Sequence, residues 1–186
     1  ATASGGVGMS LDMTYFQDAD GRSYYAWQQL GATYIATMDP KDPAHVTSSP
    51  VRIVTPEYAW NAAIAEGPNV TMRDGKLYLM FSGSGVGKTY TTGLAVADAA
   101  GSDLTDPASW TALNYPIQKS GPFNGEMQLG TGHGMWSEDE DGNQIYVFHA
   151  YATKNLGSVN ATGRDMFVRR VHWAADGMPV FDMRSS

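Results

Sequence analysis

The sequence contains no cysteine, little basic charge, and few of the residues that favour helices. Without cysteine it cannot form a disulfide framework, a thiol nucleophile or a cysteine-based zinc site. Only 12 basic residues accompany 19 acidic ones, so the chain lacks the basic stripe that a nucleic-acid-binding protein needs. No apolar run is long enough to span a bilayer. We therefore expect neither a nucleic acid nor a membrane as a partner.

The residues that are plentiful favour short strands joined by tight turns. The chain has 186 residues, among them 21 Gly, ten Tyr, six Phe and five Trp. Aromatic residues favour strands, and glycine favours turns. An apolar content of 42% is enough to form a core, which argues against disorder. The length fits one domain.

Four Asp-Gly pairs lie between β-prone segments, at residues 20–21, 74–75, 141–142 and 176–177. Asp-Gly suits hairpin turns that need positive φ. The intervals between the first three pairs each have room for four short strands, and an Asp-Pro turn follows the third strand in two of them. Repeated four-stranded units are typical of propeller blades. We predict an all-β, partial β-propeller in a single domain, residues 1–186, with about three blades at 9–56, 62–118 and 128–186. An irregular β-sandwich with Asp-Gly hairpins is the alternative.

One segment superficially resembles a phosphate-binding loop. Gly-Ser-Gly-Val-Gly-Lys-Thr at residues 83–89 ends as that motif does, but Ser82 stands where its first glycine is required. The residues that follow are β-prone, whereas a phosphate-binding loop opens a helix. We therefore predict a loop between the second and third strands of a blade.

Two acidic residues differ from the others in their surroundings. Asp12 and Glu66 each begin a predicted strand and are flanked by small or apolar residues. A carboxyl group in such a place is costly to ionise, which suits a proton donor. Hydrolysis of a glycosidic bond typically uses two carboxyl groups, one protonated and one ionised. The alternative is that both are partly exposed loop acids.

Other residue types suited to a sugar site occur along the chain. His133 lies between glycines, which would let a ligand approach closely, so its imidazole could bind a cation or a sugar hydroxyl. The aromatic rings of Trp27, Tyr58, Trp60 and Trp136 could stack on sugar rings. For the histidine a structural role is the alternative, and for the tryptophans it is core packing.

Several segments resemble glycoside hydrolase family 43, a group of five-bladed β-propeller arabinofuranosidases, arabinanases and xylosidases. Leu-Asp-Met-Thr-Tyr-Phe at residues 11–16 looks like the opening of that family's second blade. Ala-Glu-Gly-Pro at 65–68 with Asp-Gly at 74–75 resembles its third-blade motif. Gly-Thr-Gly-His-Gly at 130–134 with His-Ala at 149–150 resembles its fourth-blade motif.

The resemblance implies a role for individual residues. Glu66 would be the general acid, and Asp12 would orient it and modulate its hold on the proton. His133 would lie on the propeller axis near a bound Ca²⁺ or Na⁺, contacting it directly or through water, and Arg164 would contact the sugar. The implied activity is that of an inverting, α-L-arabinofuranosidase-like hydrolase of arabinose- or xylose-containing oligo- or polysaccharides, with no cofactor required for the chemistry.

The sequence departs from the family in one respect. The family's general base is an aspartate on a first blade, and here only eleven residues, none of them acidic, precede Asp12. We expect the chain to lack that N-terminal blade and to need one that is missing or supplied by a partner. A homo-oligomer or a companion fragment would then complete the ring. The alternative function is a non-catalytic carbohydrate-binding fragment. Because enzymes that degrade polymers are usually exported, a secreted or periplasmic location is expected.

Overall fold

The computed structural model describes residues 10–152 and 163–183, which form an all-β structure, as predicted. One short 3₁₀-helix, Pro107–Ser109, is present, and no helix in the described ranges is long and apolar enough to cross a membrane. The strands are β1 Ser10–Gln17, β2 Ser23–Gln29, β3 Ala32–Asp39, β4 Asp42–Val46, β5 Val51–Val54, β6 Ala65–Arg73, β7 Lys76–Gly83, β8 Thr91–Asp98, β9 Thr111–Ala112, β10 Gly121–Phe123, β11 Glu126–Glu138, β12 Gln144–Tyr151, β13 Asp165–Arg170, β14 His172–Trp173 and β15 Pro179–Val180.

Three antiparallel sheets follow one another along the chain. The first has the order β1-β2-β3-β4, with β5 also paired to β3; the second is β6-β7-β8-β9, and the third is β10-β11-β12-β13. A small hairpin of β14 and β15 completes the described part. Four-stranded sheets formed from consecutive strands are the blades of a β-propeller, so the fold is a partial propeller. The third sheet begins with β10, before the start at residue 128 expected for the third blade.

The Asp-Gly pairs lie at turns between paired strands. In the β6–β7 hairpin Asp74 and Gly75 have φ of 48° and 76°, and Arg73 pairs with Lys76 on either side. A two-residue turn with two positive φ angles has the twist that antiparallel strands require. Asp-Gly is favoured there because Asp tolerates positive φ and Gly adopts it without strain.

The second sheet is buried on both faces, which explains its apolar run at residues 77–81. Alternate side chains of β7 point to opposite faces. Leu77, Leu79 and Phe81 belong to a core shared with the first sheet, whereas Met80 belongs to a core shared with the third. The second sheet therefore packs between the other two. Its first strand, β6, lies between β1 of the first sheet and β11 of the third, and we call β1, β6 and β11 the inner strands.

A buried carboxylate anchors the end of the first hairpin. The Asp18 side chain is fully buried and accepts hydrogen bonds from the Arg22 backbone N–H at 2.8 Å, the Arg22 Nε at 2.7 Å and the Tyr24 hydroxyl at 3.0 Å. Burial and the hydrogen bond to Asp18 raise the pKa of Tyr24 to about 12. Asp18 is therefore more than a turn residue, because its carboxylate accepts hydrogen bonds from polar groups inside the fold.

Candidate active site

The same distortion occurs in the inner strand of each sheet. In β1 the two residues between Leu11 and Thr14 lie opposite a single residue of β2. In β6 the two residues between Glu66 and Asn69 likewise lie opposite a single residue of β7. In the third sheet β11 has it twice, from Leu129 to Gly132 and from Gly132 to Met135. Two residues opposite one form a β-bulge, and bulges redirect side chains.

Three of these bulges, one in each inner strand, contain Asp12, Gly67 or His133, and each of these residues has positive φ. Asp12 has a φ of 59°, Gly67 of 59° and His133 of 50°. Such a conformation is strained for residues with a Cβ and persists when the surrounding structure supports it. Since β1, β6 and β11 are neighbours, the bulges bring Asp12, Glu66 and His133 together. The structure thus assembles the three residues that the sequence motifs single out.

Asp12 bridges the first and second blades. Its Oδ2 accepts a hydrogen bond of 3.1 Å from the backbone N–H of Gly67, the residue after Glu66. Its Oδ1 lies 3.7 Å from Nε2 of His133. One carboxylate therefore fixes the backbone beside Glu66 and also approaches the imidazole of His133.

Glu66 is held by a tyrosine that immediately precedes β8. The Tyr90 hydroxyl donates a hydrogen bond of 2.6 Å to Oε1 of Glu66. Within the described ranges the second oxygen, Oε2, has no hydrogen-bond partner. Burial, the dominant cause, together with the hydrogen bond to Glu66 raises the pKa of Tyr90 far above its usual value, so the phenol stays protonated. Glu66 thus has one fixed oxygen and one available oxygen.

His133 approaches this pair from the third blade. Its backbone N–H donates to Oγ of Ser82 at 2.7 Å, which ties β11 to β7. Its Nδ1 is 3.1 Å from the Tyr90 hydroxyl, and its ring packs on Gly67, where a Cβ would come within 3.3 Å of the imidazole. Two features therefore favour glycine at position 67: the positive φ and the close contact with the His133 ring.

A second histidine lies beside Tyr90. The His149 ring stacks on the Tyr90 ring at 5.5 Å with an interplanar angle of 8°. Its Nε2 is 2.8 Å from an Arg164 guanidinium nitrogen. Burial and the nearby charge of Arg164 lower the pKa of His149 to about 4. His149 is therefore neutral near pH 7 and accepts a hydrogen bond from Arg164 there.

Arg164 is brought to the same side of the site. It lines a cavity of about 560 Å³ together with His133 and His149. No measured contact joins Arg164 to Glu66 or Asp12, so its contact with a sugar stays a prediction.

Trp27 and Trp136 occupy different places in the fold. Trp27 is buried, stacks on Tyr34 at 6.4 Å, and lines a cavity of about 650 Å³ that also contains Asp12. Trp136 packs against Trp173 and donates from Nε1 to the Tyr78 carbonyl at 3.1 Å. The Trp136 indole is thus packed against the core of the third sheet.

Tyr58 and Trp60 lie between β5 and β6. Their rings stack on each other at 6.4 Å, and Trp60 also stacks on Phe81 at the edge of the first core. The Trp60 Nε1 donates to the Asn114 carbonyl at 3.1 Å. Tyr58 is 40% exposed and presents the more accessible ring of the two. For all four aromatic residues, sugar stacking stays a prediction.

The expected axial ion can be compared with the residues near His133. Among the described residues no group of three or more His, Asp or Glu side chains could hold a metal. Ca²⁺ takes six to eight oxygen ligands, and His133 offers a single imidazole, one nitrogen of which already contacts Tyr90. These residues do not form a cage for Ca²⁺ or Na⁺. The ion stays a prediction, and no chemical step is derived through it.

Sequence reasoning missed Tyr90 and the pairing of His149 with Arg164. Tyr90 is one of ten tyrosines, and its sequence context shows only a β-prone residue after a glycine-rich loop. The signal is three-dimensional, because Tyr90 precedes β8 and reaches Glu66 across β7. His149 could be recognised from its motif, but its partner depends on the loop that leads into β13.

The chain is similar in sequence to a known protein family and to individual proteins. The model of the family "Glycosyl hydrolases family 43" matches residues 2–179. An extracellular exo-alpha-(1->5)-L-arabinofuranosidase of Streptomyces avermitilis is 32% identical over an alignment of 185 residues, which covers 92% of this chain and 37% of that protein. Alpha-L-arabinofuranosidase 43 of Humicola insolens is also 32% identical, with the same coverage of 92% and 37%.

A solved structure shares the fold. The crystal structure of alpha-L-arabinofuranosidase from Lactobacillus brevis superposes with a TM-score of 0.82 at 29% identity, covering 93% of this chain and 55% of that one. This likeness confirms the partial β-propeller predicted from the repeats. The chain spans under two fifths of the length of the two curated relatives, at 37% of each.

Proposed function

This chain belongs to glycosyl hydrolase family 43, and from that premise we propose that it forms the proton-donating part of a glycosidase active site. The substrate class is arabinose- or xylose-containing oligo- and polysaccharides, with α-L-arabinofuranosides first, since the curated relatives at 32% identity are named arabinofuranosidases. Glu66 is the general acid, Asp12 and His133 organise it, and Arg164 contacts the sugar.

One observation carries the proposal: the three inner-strand bulges bring Asp12, Glu66 and His133 together from three blades. A structural acid needs no such convergence, whereas a general acid must be held in a fixed place near an opening. The contacts fix the backbone at Gly67 and one oxygen of Glu66. The other oxygen is available to a substrate.

The chemistry follows from this arrangement. Neutral Glu66 transfers a proton to the glycosidic oxygen as the bond from that oxygen to the anomeric carbon breaks. In an inverting reaction a water attacks the opposite face of the sugar and gives its proton to a second carboxylate. The Asp12 carboxylate holds the backbone beside Glu66 through its hydrogen bond with Gly67, so that the acid keeps its place during the reaction.

We assign the general base to none of the described residues. We propose instead that a further blade, outside the described residues, supplies it. The outer faces of the first and third sheets support this, because both expose large apolar side chains: Met13, Tyr15, Met135, Met166 and Val168. Exposed apolar faces of this kind are typical of surfaces that pack against another element.

A secreted or periplasmic location is also proposed. Two of the curated relatives are named extracellular, including the one from Streptomyces avermitilis. An enzyme that degrades plant polysaccharides meets its substrate outside the cell.

The test compares three variants on aryl α-L-arabinofuranosides and aryl β-xylosides, with the chain alone and with any companion polypeptide that copurifies with it. General acid catalysis contributes about 10²–10⁴-fold, so Glu66→Gln should lower kcat/KM on substrates with poor leaving groups by roughly that factor. Asp12→Asn should lower it by at least about tenfold. Glu140→Gln, in an exposed turn, is the control and should be unchanged.

Two outcomes contradict the proposal. Equal activity of the wild type and Glu66→Gln removes the role given to Glu66. Binding of arabino- or xylo-oligosaccharide by calorimetry, without turnover in any assembly, favours the non-catalytic carbohydrate-binding alternative.

A further inference from the structure

We propose that Tyr90 is a positioning residue that determines which oxygen of Glu66 carries the transferable proton. This inference rests on the proposed function of Glu66 as the general acid. It concerns a residue that no sequence motif singled out.

The Tyr90 ring has a fixed position. It is fully buried and stacks on His149 on one face. Gly132 lies against the ring so closely that a Cβ at that position would overlap with it. The Tyr90 backbone N–H donates to the Gly87 carbonyl at 3.2 Å, which closes the loop before β8. The hydroxyl is therefore held at a defined point beside Glu66 by backbone and side-chain packing together.

The hydroxyl has only one hydrogen, and it contacts Glu66 and His133, with the Ser82 hydroxyl as a third neighbour. The bond to Oε1 of Glu66, at 2.6 Å, is shorter than the contact with His133, and Tyr90 is its donor. The contact with Nδ1 of His133, at 3.1 Å, must then be donated by His133 to the phenol oxygen. The chain of donors therefore runs from His133 through Tyr90 to Glu66.

This direction decides the protonation of Glu66. An oxygen that accepts a hydrogen bond from Tyr90 is the carbonyl-type oxygen of the neutral acid. The acidic proton consequently resides on Oε2, which has no hydrogen-bond partner among the described residues and is free to meet a glycosidic oxygen. Without the hydroxyl, Oε1 loses its donor, and the proton can occupy either oxygen in more than one side-chain orientation.

Charged groups around Tyr90 agree with this assignment. Glu66 faces the hydroxyl from β6, His133 from β11, and neutral His149 covers the ring from β12. Asp12 lies beyond His133, with its Oδ1 3.7 Å from Nε2. The direction of donation holds for the His133 tautomer that carries its hydrogen on Nδ1 and donates it to the phenol oxygen.

The experiment uses Tyr90→Phe, which keeps the ring and removes only the hydroxyl. The matched control is Tyr24→Phe, which removes a buried hydroxyl bonded to Asp18 in the first blade. Activity is measured on aryl α-L-arabinofuranosides whose phenols range from dinitrophenol to unsubstituted phenol. High-resolution crystal structures of the wild type and Tyr90→Phe give the position of the Glu66 carboxyl group.

For poor leaving groups Tyr90→Phe should lower kcat by roughly 10-fold to 100-fold with KM nearly unchanged, because a displaced acid transfers its proton less effectively. For the dinitrophenyl substrate, which needs little protonation, the loss should nearly vanish. The Glu66 carboxyl group should rotate or occupy several orientations in the variant crystal. Tyr24→Phe should show none of these effects.

The same loss for every leaving group, or a Glu66 carboxyl group that keeps its place in Tyr90→Phe, overturns the positioning role. If the wild type hydrolyses none of the glycosides in any assembly, the proposed function fails. The two crystal structures still decide whether Tyr90 positions Glu66, so the two failures are distinguishable.

Discussion

Asp12, in β1, and Asp18, in the turn that follows this strand, have opposite roles. The Asp18 side chain is enclosed, and its carboxylate accepts hydrogen bonds from Arg22 and Tyr24. Asp12 retains a partly exposed side chain, 24% accessible, and points to the residues beside Glu66. A carboxylate with all its partners inside the fold stabilises the structure, whereas one left partly open can act on a ligand.

Asp18→Ala should lower the free energy of unfolding by about 2–4 kcal/mol, because the buried Tyr24 hydroxyl then loses its acceptor and Arg22 its partner. Urea unfolding followed by tryptophan fluorescence measures the change. Glu140→Ala, at an exposed turn, is the control. A loss of less than about 0.5 kcal/mol would show that the Asp18 contacts contribute little.

His149 should make stability depend on pH. Burial and Arg164 lower its pKa from 6.5 to about 4, so the unfolded chain binds a proton in a range where the folded chain does not. Stability should therefore fall as the pH drops from about 6.5 to 4, by about 1–2 kcal/mol after allowance for partial exposure. Urea unfolding at several pH values tests this. His149→Gln should lose that part of the dependence, and exposed His45→Gln should keep it.

At the level of strands, the three bulges create the site. They have the same count of residues and the same positive φ, although Asp12, Gly67 and His133 share no chemistry. The backbone geometry of the bulge is thus common to the repeated blades. The sequence of each blade decides which side chain occupies the bulge. Glycine fills the position where a neighbouring ring must approach.

Gly132→Ala should disturb the site more than the fold. The new Cβ would collide with the Tyr90 ring, so the ring and its hydroxyl must move away from Glu66. We expect a loss of stability of about 1–3 kcal/mol and a larger than tenfold loss of kcat. Denaturation and kinetics on the same preparation measure both. Gly121→Ala, where the nearest atom to a Cβ is 3.9 Å away, is the control. Unchanged kinetics in Gly132→Ala would contradict this packing.

Much at this scale could be predicted from the sequence. Asp-Gly pairs, aromatic strands and the motif at residues 65–68 predict the hairpins and the proximity of Asp12 and Glu66. The Tyr90 contacts could not be predicted, because they join β8 to β6 and β11 through ring packing. Nor could the burial of Asp18, since local sequence cannot distinguish an exposed turn acid from an enclosed one.

For the whole molecule, the two outer faces predict association. A face with Met135 exposed on β11 and with Met166 and Val168 exposed on β13, on either side of β12, should pack against another sheet. Sedimentation velocity over a range of concentrations should show a dimer or larger species, or a complex with a companion polypeptide. Met166→Lys should weaken that association. A stably folded monomer at every concentration, alone and in extracts, would contradict this prediction.

The most direct test of the account is the kcat/KM of Glu66→Gln on two α-L-arabinofuranosides that differ only in leaving group, unsubstituted phenol and dinitrophenol. If Glu66 donates the proton, the variant should lose about 10²–10⁴-fold on the phenyl substrate and far less on the dinitrophenyl one. Equal losses on both substrates would contradict the assignment of Glu66 as the general acid.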